Sequence, residues 1–177
     1  MLSKVHEDDT KQVNRNLRED VYVKMKLAGI DLCVGIEGDT ATAKLVNGAK
    51  VQLETCKDWA GAQQWKMEPD GSIRNRWSGK CLEAGGSGEP PSNKAFIWDC
   101  NSAEHQKWIQ ASDRRLQNKK LTNKYLGVMF GASRLSSDRY LELRNFETGQ
   151  YGENQKWPLL EVRYTTCPMN WNVLTRV

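Results

Sequence analysis

The sequence opens its regular pattern at Val21, where apolar and polar residues begin to alternate. Every second residue from Val21 to Leu27 is apolar, and Tyr22, Lys24 and Lys26 lie between them. A period of two predicts a strand with one buried face. Further short apolar runs follow, separated by turn residues: Leu32–Ile36, Val51–Cys56, Cys81–Glu83, Ala95–Cys100, Tyr125–Met129 and Tyr140–Leu143. Because no helical period of 3.6 residues is sustained, the pattern predicts an all-β chain.

The tripeptide Gln-x-Trp occurs three times, at intervals of roughly 40 to 50 residues, which indicates an array of equivalent units. The copies are Gln63-Gln64-Trp65, Gln106-Lys107-Trp108 and Gln155-Lys156-Trp157. Two short apolar runs precede each copy, so three units of four strands predict twelve strands that close into a barrel with a hairpin cap. We expect the three tryptophans in the core and each glutamine bound to the backbone of a loop.

These repeats resemble those of the ricin B-type (R-type) lectins, and the resemblance covers about residues 21–163. It implies a β-trefoil with pseudo-threefold symmetry and repeats at about residues 21–71, 72–112 and 113–163. Residues 1–20 are a charged arm and residues 164–177 a tail outside the repeats. For the arm, a short helix and an extended segment are both open interpretations.

Four of the five cysteines lie at equivalent ends of the first two repeats. The pairing implied is Cys33–Cys56 and Cys81–Cys100, each bridge stabilising the chain by about 3 kcal/mol in the chain-entropy model. Repeat three carries Tyr125 and Phe146 at these positions, as expected if an apolar pair replaces a bridge. Disulfides favour an oxidising compartment, whereas four buried free thiols are the alternative.

The fifth cysteine, Cys167, lies ten residues after Trp157. This spacing is similar to that in the cysteine-rich trefoil domain of the mannose-receptor family, where the cysteine pairs with one after the second-repeat tryptophan. Here that position holds Gln110, so Cys167 is either free or forms an intermolecular bond.

A sugar site needs an aromatic platform for the apolar ring face, and a carboxylate and an amide or imidazole for the hydroxyl groups. In R-type lectins each repeat supplies this set at fixed positions. Repeat two carries the full set: Glu83, Trp98, His105 and Gln106. Glu83 is one methylene longer than the usual aspartate. On each residue taken alone, a partly exposed tryptophan, a solvated turn carboxylate and a surface imidazole are the alternative interpretations.

The other two repeats depart from this pattern. Repeat one carries Gly35, Glu54 and Ala62 at the site positions and keeps only Gln63; repeat three carries Gly127 and Arg144 but keeps Asn154 and Gln155. We therefore expect one sugar-binding pocket, in repeat two, with Asn154 and Gln155 as weaker candidates. Trp59 and Trp77 remain without an assigned role.

Composition excludes several classes of function. Only His6 and His105 are present, without an evident nucleophile or metal-ligand spacing, so no catalytic or metal site, and no cofactor, is predicted. The net charge is +4, and neither a nucleic-acid motif nor a membrane-spanning apolar run occurs. Residues 1–9 lack a signal peptide's apolar region. We expect a secreted protein, or an extracellular part of a larger one.

Three functions remain from the sequence. The first is a lectin module that recognises galactose- or N-acetylgalactosamine-type ends of glycans or glycoproteins. The second, suggested by the mannose-receptor resemblance and the positive charge, is recognition of sulfated or otherwise anionic glycans. The third is a protein-interaction trefoil with vestigial sugar pockets, for which Arg144 and the charged arm are candidate contacts.

Overall fold

A computed structural model describes residues 21–38, 45–85, 93–128 and 139–162. The predicted arm 1–20, the tail with Cys167 and Trp171, and His6 lie outside the described residues. Within these ranges the chain forms twelve short strands: β1 (Val23–Met25), β2 (Leu32–Ile36), β3 (Val51–Thr55), β4 (Trp65–Met67), β5 (Ile73–Asn75), β6 (Cys81–Ala84), β7 (Ala95–Trp98), β8 (Trp108–Gln110), β9 (Leu116–Asn118), β10 (Lys124–Gly127), β11 (Glu142–Asn145) and β12 (Leu159–Glu161).

Three antiparallel hairpins, β2–β3, β6–β7 and β10–β11, repeat the same register. Backbone hydrogen bonds join them to one another: the N–H of Leu141 donates to the Val51 carbonyl (2.8 Å), and the N–H of Ala95 donates to the Leu141 carbonyl (2.9 Å). The remaining strands close the barrel, with β1 pairing to both β12 and β4. The fold is a β-trefoil, as predicted.

The three repeat tryptophans occupy equivalent places in the core. Trp65 and Trp157 are fully buried and Trp108 is 4% exposed. Each indole N–H donates to a backbone carbonyl of the first strand of its own hairpin: Trp65 to Val34, Trp108 to Leu82 and Trp157 to Leu126, at 2.9 to 3.0 Å. A buried indole N–H without an acceptor would be costly, so the motif fixes both packing and orientation.

Cys33 is bonded to Cys56, and Cys81 to Cys100, which confirms both predicted disulfides. In repeat three the rings of Tyr125 and Phe146 meet edge to face, with centroids 5.8 Å apart. The expected apolar replacement of the bridge is therefore confirmed. Arg115 lies over the ring of Phe146, with its guanidinium carbon 4.3 Å from the ring centroid, and so covers one side of the aromatic pair.

Short helical segments interrupt the β structure before each Gln-x-Trp motif. Gly61–Gln63 and Glu104–Gln106 form single 3-10 turns, and Gly149–Glu153 forms helix α1. Their sequences are too short for a periodic pattern, which is why the sequence did not predict them. They turn the chain so that each motif glutamine points back toward its own hairpin.

Candidate functional site

Each motif glutamine makes the same two backbone contacts in its repeat. The amide nitrogens of Gln63, Gln106 and Gln155 donate to the carbonyls of Thr55, Asp99 and Asn145, at 2.9, 3.0 and 2.6 Å. Their carbonyl oxygens accept from the N–H groups of Lys57, Asn101 and Glu147, at 2.9, 3.0 and 3.1 Å. The glutamines therefore hold the loop after each hairpin, as predicted, whatever the neighbouring site residues are.

In repeat two, Glu83 and Trp98 lie on the same face of the hairpin β6–β7, and His105 and Gln106 lie in the 3-10 segment that follows it. Glu83 pairs with Phe96, and Cys81 pairs with Trp98, and cross-strand partners lie on the same face of a sheet. Phe96 and Trp98 are both half-buried. The opposite face carries Leu82 and other core residues, so one carboxylate and two aromatic rings share the face of the hairpin that points away from the core.

The carboxylate of Glu83 is fully enclosed by its neighbours. Its Oε2 accepts a hydrogen bond from the amide of Gln106 at 2.8 Å and lies 3.3 Å from Nε2 of His105. The side chain of His105 is 29% exposed and that of Glu83 is 0% exposed, so the imidazole covers the carboxylate. Neither Oε1 of Glu83 nor Nε2 of His105 has a hydrogen-bond partner, which leaves acceptor capacity inside the site. The interpretation of Glu83 as a solvated turn charge is wrong.

Trp98 is held in place by a turn from repeat one. A Cβ on Gly48 would lie 3.5 Å from the Trp98 ring, and Gly48 has a positive φ of 82°, so this turn favours glycine. The next residue, Asp99, exchanges two hydrogen bonds with Asn47, at 2.8 and 2.9 Å, and pairs with Lys80 at 2.6 Å. The Lys80 ammonium, with a smaller contribution from Asn47, lowers the pKa of Asp99 below its usual value of 3.8.

Repeat one places a different carboxylate in the equivalent space. Glu54, which occupies the platform position, is 6% exposed, and its carboxyl group lies 3.0 Å from where a Cβ on Gly35 would stand. Its two oxygens accept from Gln52 (3.2 Å) and Gln63 (3.1 Å). In repeat one, Glu54 itself therefore fills the space that a sugar would occupy, and it stands where repeat two has the aromatic platform.

In repeat three, the space equivalent to the pocket is filled by Arg144. The Cδ of Arg144 lies 3.2 Å from the Cβ position of Gly127, and the guanidinium pairs with Glu147 at 2.7 Å and with Glu142 at 3.5 Å. Asn154, a weaker candidate from the sequence, is 2% exposed, and Gln155 is fully buried on the backbone contacts above. The cation occupies the place where repeat two has an aromatic ring.

The structure thus brings Glu83, His105 and Gln106 into contact and places Trp98 on the same face. Sequence reasoning missed Phe96, although alternation along β7 puts it on the face of Trp98, and it missed the clamp of Asn47 on Asp99, which joins residues from two repeats. Trp59 and Trp77 are 71% and 44% exposed, and neither is among the predicted site residues. Among the described residues, no group of three potential metal ligands occurs, and no helix there is long and apolar enough to cross a membrane.

Comparison with known proteins gives the class to which this architecture belongs. Residues 21–157 match the family model of the ricin-type beta-trefoil lectin domain. The chain belongs to this family, which consists of carbohydrate-binding modules. A comparison with curated protein sequences found no significant match.

Solved structures share the fold at low sequence identity. The β-trefoil lectin of the Vibrio vulnificus hemolysin/cytolysin, solved with N-acetyl-D-lactosamine, is 18% identical with a TM-score of 0.60, over 81% of this chain and 96% of that one. The C-half of an earthworm R-type lectin, in complex with GalNAc, is 17% identical with a TM-score of 0.59, over 80% and 97%. The designed threefold-symmetric protein ThreeFoil is 20% identical with a TM-score of 0.64, over 78% and 97%.

Proposed function

We propose that this protein is a lectin module that binds galactose- or N-acetylgalactosamine-type glycan ends through one pocket, formed by Glu83, Trp98, His105 and Gln106. The observation that carries the proposal is the difference between the repeats. Within the described parts of the three repeats, only repeat two brings a carboxylate, an amide, an imidazole and aromatic rings together at one site. In the other two repeats the equivalent space is filled by Glu54 and by Arg144.

The unsatisfied carboxylate oxygen of Glu83 is the hydrogen-bond acceptor that the pocket offers to a sugar hydroxyl. Gln106 holds Oε2, and Oε1 is buried without a donor. An unsatisfied buried acceptor costs about 1–3 kcal/mol, so a ligand hydroxyl that donates to Oε1 recovers this energy. For the hydroxyl to reach it, the imidazole of His105 must turn outward, where its nitrogen accepts or donates to a second hydroxyl.

The aromatic part of the pocket sets the sugar's orientation. The apolar C–H face of a pyranose packs on the half-buried ring of Trp98, and the clamp between Asn47 and Asp99 fixes this ring before binding, which lowers the entropic cost of association. Two structural neighbours carry N-acetyl-D-lactosamine and GalNAc, and these ligands favour a galactose-type end as the first sugar to test.

The experiment compares the wild type with Trp98→Ala on a glycan array, followed by titration with galactose, N-acetylgalactosamine and glucose. Trp59→Ala is the matched control, since it removes an exposed tryptophan of repeat one that is not among the four proposed pocket residues. We expect Trp98→Ala to weaken galactoside binding by at least about tenfold, the loss of one aromatic contact, and Trp59→Ala to leave it unchanged. Unchanged binding by folded Trp98→Ala protein would disprove this pocket.

A second candidate function is recognition of a protein, with the sugar pocket as a relic. The complete enclosure of Glu83 beneath His105 favours it, because a working pocket usually exposes its acceptor. Silence on the glycan array from folded wild-type protein would make this candidate the stronger one.

The two disulfides favour an extracellular setting, since such bonds persist in oxidising compartments. We propose that the partners are glycans or glycoproteins outside the cell. Retention of both bridges in protein isolated from its native host, measured by mass spectrometry without reduction, would support this location.

A further inference from the structure

Strand β7 carries a second aromatic ring beside Trp98, on the face that points away from the core. Ala95 and Ile97 are buried in the core, and Phe96 and Trp98, which alternate with them, are half-buried on the opposite face. Neighbouring residues on one face of a strand lie about 7 Å apart. The two aromatic side chains therefore leave the strand at points separated by about the length of one sugar unit.

Phe96 also borders the carboxylate of the proposed pocket. It is the cross-strand partner of Glu83 in the hairpin β6–β7. On its other side it pairs with Lys50, whose ammonium lies 4.6 Å from the centroid of the Tyr140 ring. Cross-strand partners share one face of a sheet, with their Cβ atoms about 5 Å apart. Phe96 therefore lies between Glu83 and the segment that leads into β3.

The other two hairpins carry a polar residue at the position equivalent to Phe96. In repeat one, Gln52 donates to Glu54 at 3.2 Å, and in repeat three, Glu142 lies 3.5 Å from Arg144. In both repeats this residue contacts the side chain that fills the space of the pocket. In repeat two both positions carry aromatic rings. Repeat two therefore offers an apolar surface at two positions that the other repeats use for a polar contact within the protein.

We propose that Phe96 forms a second subsite, which binds the sugar unit next to the galactose-type end. This inference rests on the pocket proposed above, because the terminal sugar must lie on Trp98 for the next one to reach Phe96. The C–H face of the second pyranose packs on the phenyl ring. The ligand class is therefore a β-linked disaccharide or a longer glycan end, in which consecutive rings form an extended chain.

The chemistry of Phe96 determines what this subsite distinguishes. A phenyl ring has no hydrogen-bonding group, so the contact depends on the presence of a second sugar ring and not on the arrangement of its hydroxyl groups. Lactose and N-acetyllactosamine share their terminal galactose and differ in the second sugar. We therefore expect both disaccharides to bind more tightly than methyl β-galactoside, and by similar factors.

The test is a calorimetric titration of the wild type and three variants with methyl β-galactoside, lactose and N-acetyllactosamine. Phe96→Gln introduces the side chain that repeat one has at this position, Phe96→Tyr keeps the ring, and Ile109→Gln is the control at an exposed apolar position of β8. We expect the wild type to bind the disaccharides about fivefold more tightly than the monosaccharide, as for one additional aromatic contact. Phe96→Gln should lose most of this preference, whereas Phe96→Tyr and Ile109→Gln should keep it.

Three results would overturn the subsite and leave the pocket intact: equal wild-type affinity for all three sugars, a disaccharide preference that persists in Phe96→Gln, or equal losses of monosaccharide and disaccharide affinity in that variant. Failure of the pocket itself gives a different result. The wild type would then bind none of the three sugars, or folded Trp98→Ala protein would bind them as tightly as the wild type, and both proposals would fall together.

Discussion

Repeat two shares its scaffold with repeats one and three. The repeats differ in the side chains that fill the space around Glu83 and around its counterparts, Gly35 and Gly127. In all three, a glutamine joins the hairpin to the following loop through the same pair of backbone contacts. In repeat two this space holds Glu83 under an imidazole. In repeats one and three a side chain from the facing strand, Glu54 or Arg144, lies over a glycine.

This difference shows that the scaffold role of the motif and the binding role are separable. The glutamine keeps its backbone contacts when the carboxylate moves to the other strand, as in repeat one. It also keeps them when Arg144, paired with Glu142 and Glu147, takes the space, as in repeat three. A Gln-x-Trp motif therefore identifies the fold, and the residues on the hairpin's outer face decide whether a pocket exists.

The largest expected effect is a loss of stability that differs among the three motif glutamines when each is replaced by alanine. Gln106→Ala leaves Glu83 without its hydrogen-bond donor and should lower the free energy of unfolding by about 3 kcal/mol. Gln63→Ala should cost about 2 kcal/mol, because Glu54 keeps Gln52, and Gln155→Ala about 1 kcal/mol, since only backbone contacts are lost. Denaturant unfolding of the three variants gives the order directly, and equal losses would contradict the distinction between the repeats.

The next effect concerns binding. Glu83→Gln keeps the shape of the side chain but removes its charge, so galactoside affinity should fall by about tenfold or more, as for a lost hydrogen bond to a charged group. Glu54→Gln, the matched change in repeat one, should leave affinity unaltered. Titration calorimetry on both variants tests this, and an equal loss in the two would indicate that repeat one also binds.

A smaller effect is expected in repeat three. Arg144→Ala removes ion pairs with Glu142 and Glu147 that are partly open to solvent, and such pairs contribute about 0.2–1 kcal/mol. Thermal unfolding should therefore show a small loss of stability, with no change in galactoside affinity. Weaker sugar binding in this variant would assign a ligand to repeat three.

The smallest effect is electrostatic and belongs to the clamp that holds Trp98. The pKa of Asp99 is lowered in the folded chain, so its contribution to stability is present above the usual pKa of 3.8 and is lost as pH falls through the lowered value. Lys80→Met should raise this pKa back toward its usual value. A carboxyl NMR titration of both proteins checks this, and identical pKa values would show that Lys80 has no influence.

The sequence was sufficient for features that repeat with the chain. The period of the motif, with the resemblance to the ricin B-type lectins, led to the trefoil, and the loss of both cysteines in repeat three led to the contact of Tyr125 with Phe146. The four site residues were implied by the same resemblance and stay a prediction. Each of these depends on which residue type occupies an equivalent position, and that can be counted along the chain.

Features that depend on cross-strand packing could not be predicted in this way. Glu54 folds over Gly35, and His105 lies over Glu83. Both positions depend on which rotamers the neighbouring side chains allow. The clamp of Asn47 on Asp99 joins residues 52 positions apart, and nothing in the local pattern of either segment indicates the partner.

The most direct test of the single-pocket account is an NMR titration with N-acetylgalactosamine that follows the side-chain amides of Gln63, Gln106 and Gln155. These three groups occupy equivalent positions, one in each repeat, and so report separately on each potential pocket. We expect the signals of Gln106 and of the Trp98 indole N–H to shift with saturation while the other two amides stay unchanged. Saturable shifts at Gln63 or Gln155, or no shift at Gln106, would contradict the account.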